Sequence, residues 1–209
     1  MLDVTDQPVA ITTKAYNGRR RMTLTYLALT RANEILWLVA GADKKQALAR
    51  LLEGDIGDFW LGERFDVVLC VFDTLNHLLT FEAWQSMFEA VYDHLVDDGL
   101  FIFDVNTLGE LRRLGEEPPW VFEFDDHVLI MDVATADAGL SQWDIKIFEH
   151  VGGSRFDLHH EQIGELGIGL QRIRAALSPR FTLLEQTSDS GEMPTDGSVK
   201  AYFTYRRAP

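Results

Sequence analysis

The chain has 209 residues, 46% of them hydrophobic, which is enough apolar material for one sizeable core. Its formal charge of −14 disfavours non-specific binding to nucleic acid or anionic lipid, and the triplet Arg19-Arg20-Arg21 is too small a basic patch to reverse that balance. The stretch LTYLALTRANEILWLVAG is broken by Arg31, Asn33 and Glu34, so no apolar run reaches the roughly 18 residues that a membrane span needs.

The first ten residues, MLDVTDQPVA, lack a basic region and an apolar stretch, so a cytoplasmic protein is expected. Cys70 is the single cysteine and has no partner for a disulfide; it reads as a small hydrophobe in the run FDVVLCVF. Met22 to Leu29 alternates polar and aliphatic residues and predicts a strand. Ile35 to Val39 is continuously apolar up to Gly41, as in a strand buried on both faces of a parallel sheet, and Ala42 to Leu52 has helix formers with leucines at helical spacing. Gly54-Asp55-Ile56, with Phe59, predicts a short strand.

Phe65 to Phe72 predicts a central buried strand. Thr80 is placed to cap a helix over Phe81 to Val96, whose Trp84, Phe88, Val91, Tyr92 and Leu95 form one stripe, and Asp97-Asp98-Gly99 is expected to end it. Leu100 to Val105 predicts a second buried strand, and Asn106 to Arg113 opens a short helix. Two strands separated by such a helix predict a parallel crossover unit. From Trp120 to Val151 apolar residues alternate, predicting two or three antiparallel strands. A helix over Ile168 to Leu177, a strand at Phe181 to Gln186, a flexible loop from Thr187 to Gly197 and a last strand over Val199 to Arg206 complete the chain. The fold expected is α/β: a single domain over residues 1–209 with a Rossmann-like, mostly parallel sheet flanked by helices, an antiparallel insertion at about 120–151 and an antiparallel C-terminal strand.

The stretch GDIGDFWLGERFDVVLCVFDTLNHLLTFEAWQSMFEAVYDHLVDDGLFIFDVNT, and the order of elements after it to KAYFTYRR, resembles class I S-adenosylmethionine-dependent methyltransferases over about residues 53–206. The resemblance implies S-adenosylmethionine as cofactor and methyl transfer to a small acceptor molecule. It implies that Asp55 and Ile56 lie beside the adenine ring, and that Phe72, Asp73 and Asn76 face the methionine part of the cofactor and the substrate. His77 stands next to these positions and is a candidate general base for an acceptor hydroxyl or amine.

That family also has a G-x-G-x-G loop before these elements, where the backbone approaches the cofactor closely; VAGADKK offers only Gly41 there, with Asp43 as a possible acidic contact and Lys44 and Lys45 crowding a cationic ligand. The implied cofactor affinity is therefore weakened or lost. Instead, NGRRRMTLTYLALTRANEILWLVAGADKKQALARLLEGD resembles, over about residues 14–55, the 6-phosphogluconolactonases and glucosamine-6-phosphate isomerases. Arg21 and Lys44 match that family's phosphate-contacting positions, while its catalytic histidine segment is absent. Together the two resemblances suggest a junction near residues 50–56, with residues 1–52 as a sugar-phosphate-enzyme-like first unit and 53–209 as a methyltransferase-like remainder. The alternative to an active methyltransferase is a catalytically silent chimera or binding domain, or a sugar-phosphate-binding protein.

His159, His160, Glu161 and His150 are candidate metal ligands by type, but adjacent histidines on a strand point to opposite faces, so no metal site is expected. No G-x-S-x-G, P-loop or Cys-His arrangement occurs.

Overall fold

A computed structural model of the chain describes residues 9–11, 22–24, 35–38, 55–57, 59–136 and 139–209. Gly41, Arg21, Lys44 and the helix expected over 42–52 lie outside the described residues. Strands β1 (Val9–Ile11) and β2 (Met22–Leu24) form an antiparallel pair. Strands β3 (Ile35–Leu38), β4 (Phe65–Cys70), β5 (Leu95–Asn106), β10 (Phe181–Ser188) and β11 (Lys200–Arg207) form a five-stranded sheet in the order β10-β11-β5-β4-β3.

Within that sheet β3, β4 and β5 run parallel, with Leu38 opposite Cys70, and Cys70 opposite Phe103. Val68 pairs with Phe101 and Leu69 with Ile102, so the two apolar runs lie side by side and end together. β11 returns antiparallel against β5, bringing Lys200 opposite Asn106 at the same edge. Helix α1 (Phe81–His94) is the crossover between β4 and β5. It starts where the sequence places it, because the Thr80 hydroxyl accepts the Ala83 N–H at 3.2 Å and supplies one of the amides that helix geometry leaves unpaired. Its stripe of Trp84, Met87, Phe88 and Val91 is buried in one core with Phe101, Phe103, Phe203 and Tyr205, and Phe103 stacks on Phe203 at 5.0 Å between ring centres. Truncating Phe88 to alanine in this core would cost about 3–5 kcal/mol.

The segment Asp97-Asp98-Gly99 does not end the helix as a loop. Asp98 takes a left-handed conformation (φ 62°) inside β5, and the register with β4 shifts between Phe65 and Val67, so the residues form a bulge. The short strand expected at Gly54-Asp55-Ile56 is reduced, among the described residues, to a single bridge residue, Asp55, followed by a turn at Ile56 and Gly57: Asp55 Oδ1 accepts the Gly57 N–H at 2.8 Å, the local side-chain bond by which aspartate competes with extended structure.

Helix α2 (Leu108–Leu114), capped by the Thr107 hydroxyl on Glu110 N–H at 3.1 Å, leads into a second sheet. That sheet has four antiparallel strands in sequence order, β6 (Trp120–Phe124), β7 (His127–Thr135), β8 (Leu140–Gly152) and β9 (Arg155–Leu166). It runs past the expected end at Val151, because residues 155–162 are exposed on both faces and so show no alternation to read. Helix α3 (Leu170–Leu177) then returns the chain to β10. The loop expected to be flexible before β11 is tied down: Asp196 Oδ1 accepts the Leu170 N–H at 2.7 Å and its carbonyl accepts the Gly109 N–H at 2.8 Å, which joins the starts of α2 and α3.

Candidate functional site

Open α/β sheets bind ligands in the crevice beyond the carboxyl ends of their parallel strands. In this chain that edge is where β3, β4 and β5 stop, at Leu38, Cys70 and Asn106. The chain leaves β4 by an unusual route. Phe72 (φ 62°) and Asp73 (φ 53°) are consecutive non-glycine residues in the left-handed region, which costs a side-chain-bearing residue roughly 1–2 kcal/mol each.

What holds them there is Asp104. Successive backbone N–H groups in a tight turn can point into one concavity suited to an anion. The buried Asp104 carboxylate fills it, accepting from Phe72 N–H at 2.6 Å and from Asp73 N–H at 3.2 Å. Lys200, at the start of β11, completes the arrangement by donating to Asp104 Oδ2 at 3.0 Å and to the Asp73 carboxylate. Burial works against its charged form, but Asp104 and Asp73 outweigh that effect and hold the ammonium protonated, above the usual lysine range. A consequence of the turn is that the Phe72 ring stands 71% exposed at the strand tip, an aromatic surface presented to whatever enters.

A 3-10 turn (Thr74–His77) follows and carries the next two residues singled out in the sequence. Asn76 is fully buried and its amide is wholly engaged: Nδ2 donates to the carbonyls of Asn106 and Leu166, both at 3.0 Å, and Oδ1 accepts the Asn106 N–H at 2.9 Å. Its observed work is to pin the turn to β5 and to the second sheet. His77 is half-buried, with Nδ1 at 3.2 Å from the Gly164 carbonyl. A carbonyl only accepts, so Nδ1 carries the hydrogen and Nε2 is left as the acceptor of the neutral ring.

Phe72, Asp73, Asn76 and His77 therefore come together on one turn. Asp55, exposed, and Ile56, half-buried against the core, stand on a separate turn beside Ala83 of α1 and take no part in the Asp104 network. The sequence reading missed three contributors. Asp104 left a signal, being an acid inside the apolar run LFIFDV, a placement that demands a partner. Lys200 and Glu165 left none, since each occupies a polar position of an ordinary strand. Glu165 is buried at the end of β9, where its Oε2 accepts from Asn106 Nδ2 at 2.9 Å. Burial pushes its carboxyl above the usual range and Asp73 adds to this, while the Asn106 bond, His77 and Lys200 pull the other way.

Elsewhere, His159 meets Glu149 at 2.9 Å and His160 meets Asp144 at 2.8 Å, opposite Ile147 and Lys146 in the register and so on opposite faces of β9. Among the described residues no three such side chains converge in a form suited to a metal ion. Among them also, no helix is long and apolar enough to cross a membrane.

Residues 2–58 match the sequence family described as glucosamine-6-phosphate isomerases/6-phosphogluconolactonase. A putative methyltransferase of Geobacillus sp. (strain WCH70) is 21% identical over 173 residues, spanning 80% of this chain and 69% of the relative. The crystal structure of an S-adenosylmethionine-dependent methyltransferase from Clostridium acetobutylicum ATCC 824 superposes with a TM-score of 0.69 at 19% identity, covering 88% of this chain and 71% of that one. CalS10, an amino pentose methyltransferase from Micromonospora echinaspora whose structure holds S-adenosylmethionine, superposes with a TM-score of 0.58 at 15% identity, covering 74% and 63% of the two chains. The chain thus has the α/β fold found in S-adenosylmethionine-dependent methyltransferases.

Proposed function

We propose that this protein transfers a methyl group from S-adenosylmethionine to a small acceptor, in the crevice at the tips of β4 and β5. The observation that carries the reading is the Asp104-held turn, which maintains two strained residues and an exposed aromatic ring at the place where the fold binds ligands. The likeness to methyltransferase structures, one of them with the cofactor bound, supports it.

The described residues fit such a cofactor. Asp73, Asp104 and Glu165 face a single ammonium, Lys200, so the crevice favours a cation such as a sulfonium. The Asp55 carboxylate spends one oxygen on Gly57 and has the other for an exocyclic amine, with Ile56 as the apolar neighbour of the ring. Phe72 and Asp73 border the methionine part, and Asn76 fixes the turn that carries them. The cofactor supplies an electrophilic methyl group; the chain's task is to align the acceptor, exclude water, and take the acceptor's proton at His77 Nε2. In the sequence, VAGADKK contains Gly41 alone and no G-x-G-x-G segment, so the affinity is expected to be modest.

Calorimetric titration with S-adenosylhomocysteine tests this. Binding that weakens in Asp55→Ala supports the reading; no heat at any concentration up to the millimolar range rejects it.

A second reading has its own support in the family match over residues 2–58. On it, the chain joins sugar-phosphate-enzyme sequence to methyltransferase sequence near residues 50–56, and Arg21 and Lys44 retain affinity for a phosphate in a protein without catalysis. β3, from the first part, pairs with β4, from the second, so both would contribute to one sheet. Titration with 6-phosphogluconate, repeated on Lys44→Ala, distinguishes it.

A further inference from the structure

We propose that Glu165 is the anchor for the methyl acceptor and that the acceptor it takes is a small amine, bound as its ammonium. The word acceptor rests on the methyltransferase reading above; the amine site does not.

Glu165 is 5% exposed and forms no ion pair among the described residues. A carboxyl in that position is costly to ionise, and a glutamine would serve equally well if the only task were to hold β9 to Asn106. The groups around it come from three strands and the segment that leaves β4. Asn106 of β5 binds Oε2; Asp73, just before the 3-10 turn, His77 at its end and Lys200 of β11 act through their charges; Ser141 of β8 lies opposite in the register, its hydroxyl engaged with Thr135 at 3.0 Å. None of these donates to Oε1, and that oxygen is not sealed from solvent. Among these neighbours the Asp73 carboxylate and the Lys200 ammonium offset each other, so an ionised Glu165 is left without a counter-ion and the partner it lacks is a cation.

The frame is rigid enough to aim the free oxygen. Asn106 is clamped through both its backbone N–H and its carbonyl by Asn76, and Leu166, the residue after Glu165, is bound by the same amide. Gly164, the residue before it, accepts from His77 Nδ1, so the proposed base is held to β9 at the residue next to the anchor. An ammonium held by Glu165 would pass one proton to His77 Nε2, the N–H electron pair remaining on nitrogen. That pair forms the new N–C bond to the methyl carbon while the C–S pair leaves with sulfur. The positive charge of the sulfonium is thereby discharged, and the product nitrogen carries it as a methylammonium.

Benzylamine and benzyl alcohol serve as probes, matched in shape and differing in the charged nitrogen. Saturation-transfer NMR on the full chain should show benzylamine bound in preference to the alcohol, with affinity falling roughly tenfold or more in Glu165→Gln and the alcohol unaffected. Equal binding of the two probes by the native protein, or an unchanged benzylamine affinity in the variant, overturns the proposal. S-adenosylhomocysteine titrated into both proteins separates the two readings: failure to bind it rejects methyl transfer, while the amine comparison stands by itself. Should the variant not fold, the comparison of the two probes on the native protein decides, and benzylamine bound no more tightly than benzyl alcohol overturns the proposal there as well.

Discussion

Lys200 Nζ lies 3.0 Å from Asp104 Oδ2, joining the first residue of β11 to the tip of β5 under the turn that leaves β4. Both side chains are largely buried, so each depends on the other. Lys200→Met leaves a buried carboxylate without its cation and should cost about 3–5 kcal/mol in urea denaturation. Asp104→Leu combined with Lys200→Met should recover part of that loss, because no charge is then left unpaired. An unchanged midpoint in the single variant would mean that the pair is not desolvated.

Phe72 makes an opposite prediction. Its backbone is in the left-handed region and its ring is mostly exposed, so Phe72→Gly removes strain and little packing. Relief of roughly 1–2 kcal/mol, less the greater chain entropy of glycine at about 0.5–1, leaves a net gain on the order of 0.5–1 kcal/mol. S-adenosylhomocysteine affinity should fall at the same time. A variant that is both less stable and equally tight would show that the ring is structural.

Asn76→Ala should be among the most damaging single changes outside the apolar core. It strips the partner from a buried N–H and two carbonyls at once, and unmet buried groups cost about 1–3 kcal/mol each. A loss of about 3 kcal/mol or more in denaturant titration is expected, with Asn76→Asp little better because a carboxylate cannot donate to Asn106 and Leu166 carbonyls.

Glu165 should leave a signature in the dependence of stability on pH. Its folded carboxyl releases a proton at higher pH than the unfolded value near about 4.3. Between those two values the native state binds more protons than the unfolded one, so this group's contribution declines as pH rises through that window. Comparing denaturation midpoints of native protein and Glu165→Gln from pH 4 upward should show the variant losing less. Parallel curves would place Glu165 in water.

Much of the scaffold was legible because burial on two faces forces continuous apolar runs: FDVVLC and LFIF identified β4 and β5, and Thr80 marked the start of the helix between them. The second sheet was recognised by alternation as far as β8, and β9 was missed because RFDLHHEQ is exposed on both sides. The short strand read at Asp55-Ile56 is a single bridge residue, Asp55, because its carboxylate makes a turn bond two residues on. At the site, the β4 turn was visible as FDTLNH, but its supports were not. Asp104, Glu165 and Lys200 are far apart in sequence, and only the register that sets Lys200 opposite Asn106, and the bond from Asn106 to Glu165, bring them to one edge.

Hydrogen–deuterium exchange with and without saturating S-adenosylhomocysteine tests the central claim most directly, because it locates the ligand as well as detecting it. Slower exchange is predicted over residues 71–77 and 104–107, with the hairpin of β8 and β9 at 145–160 unchanged. No protection in either stretch, or protection confined to the second sheet, would contradict a cofactor crevice at the tips of β4 and β5.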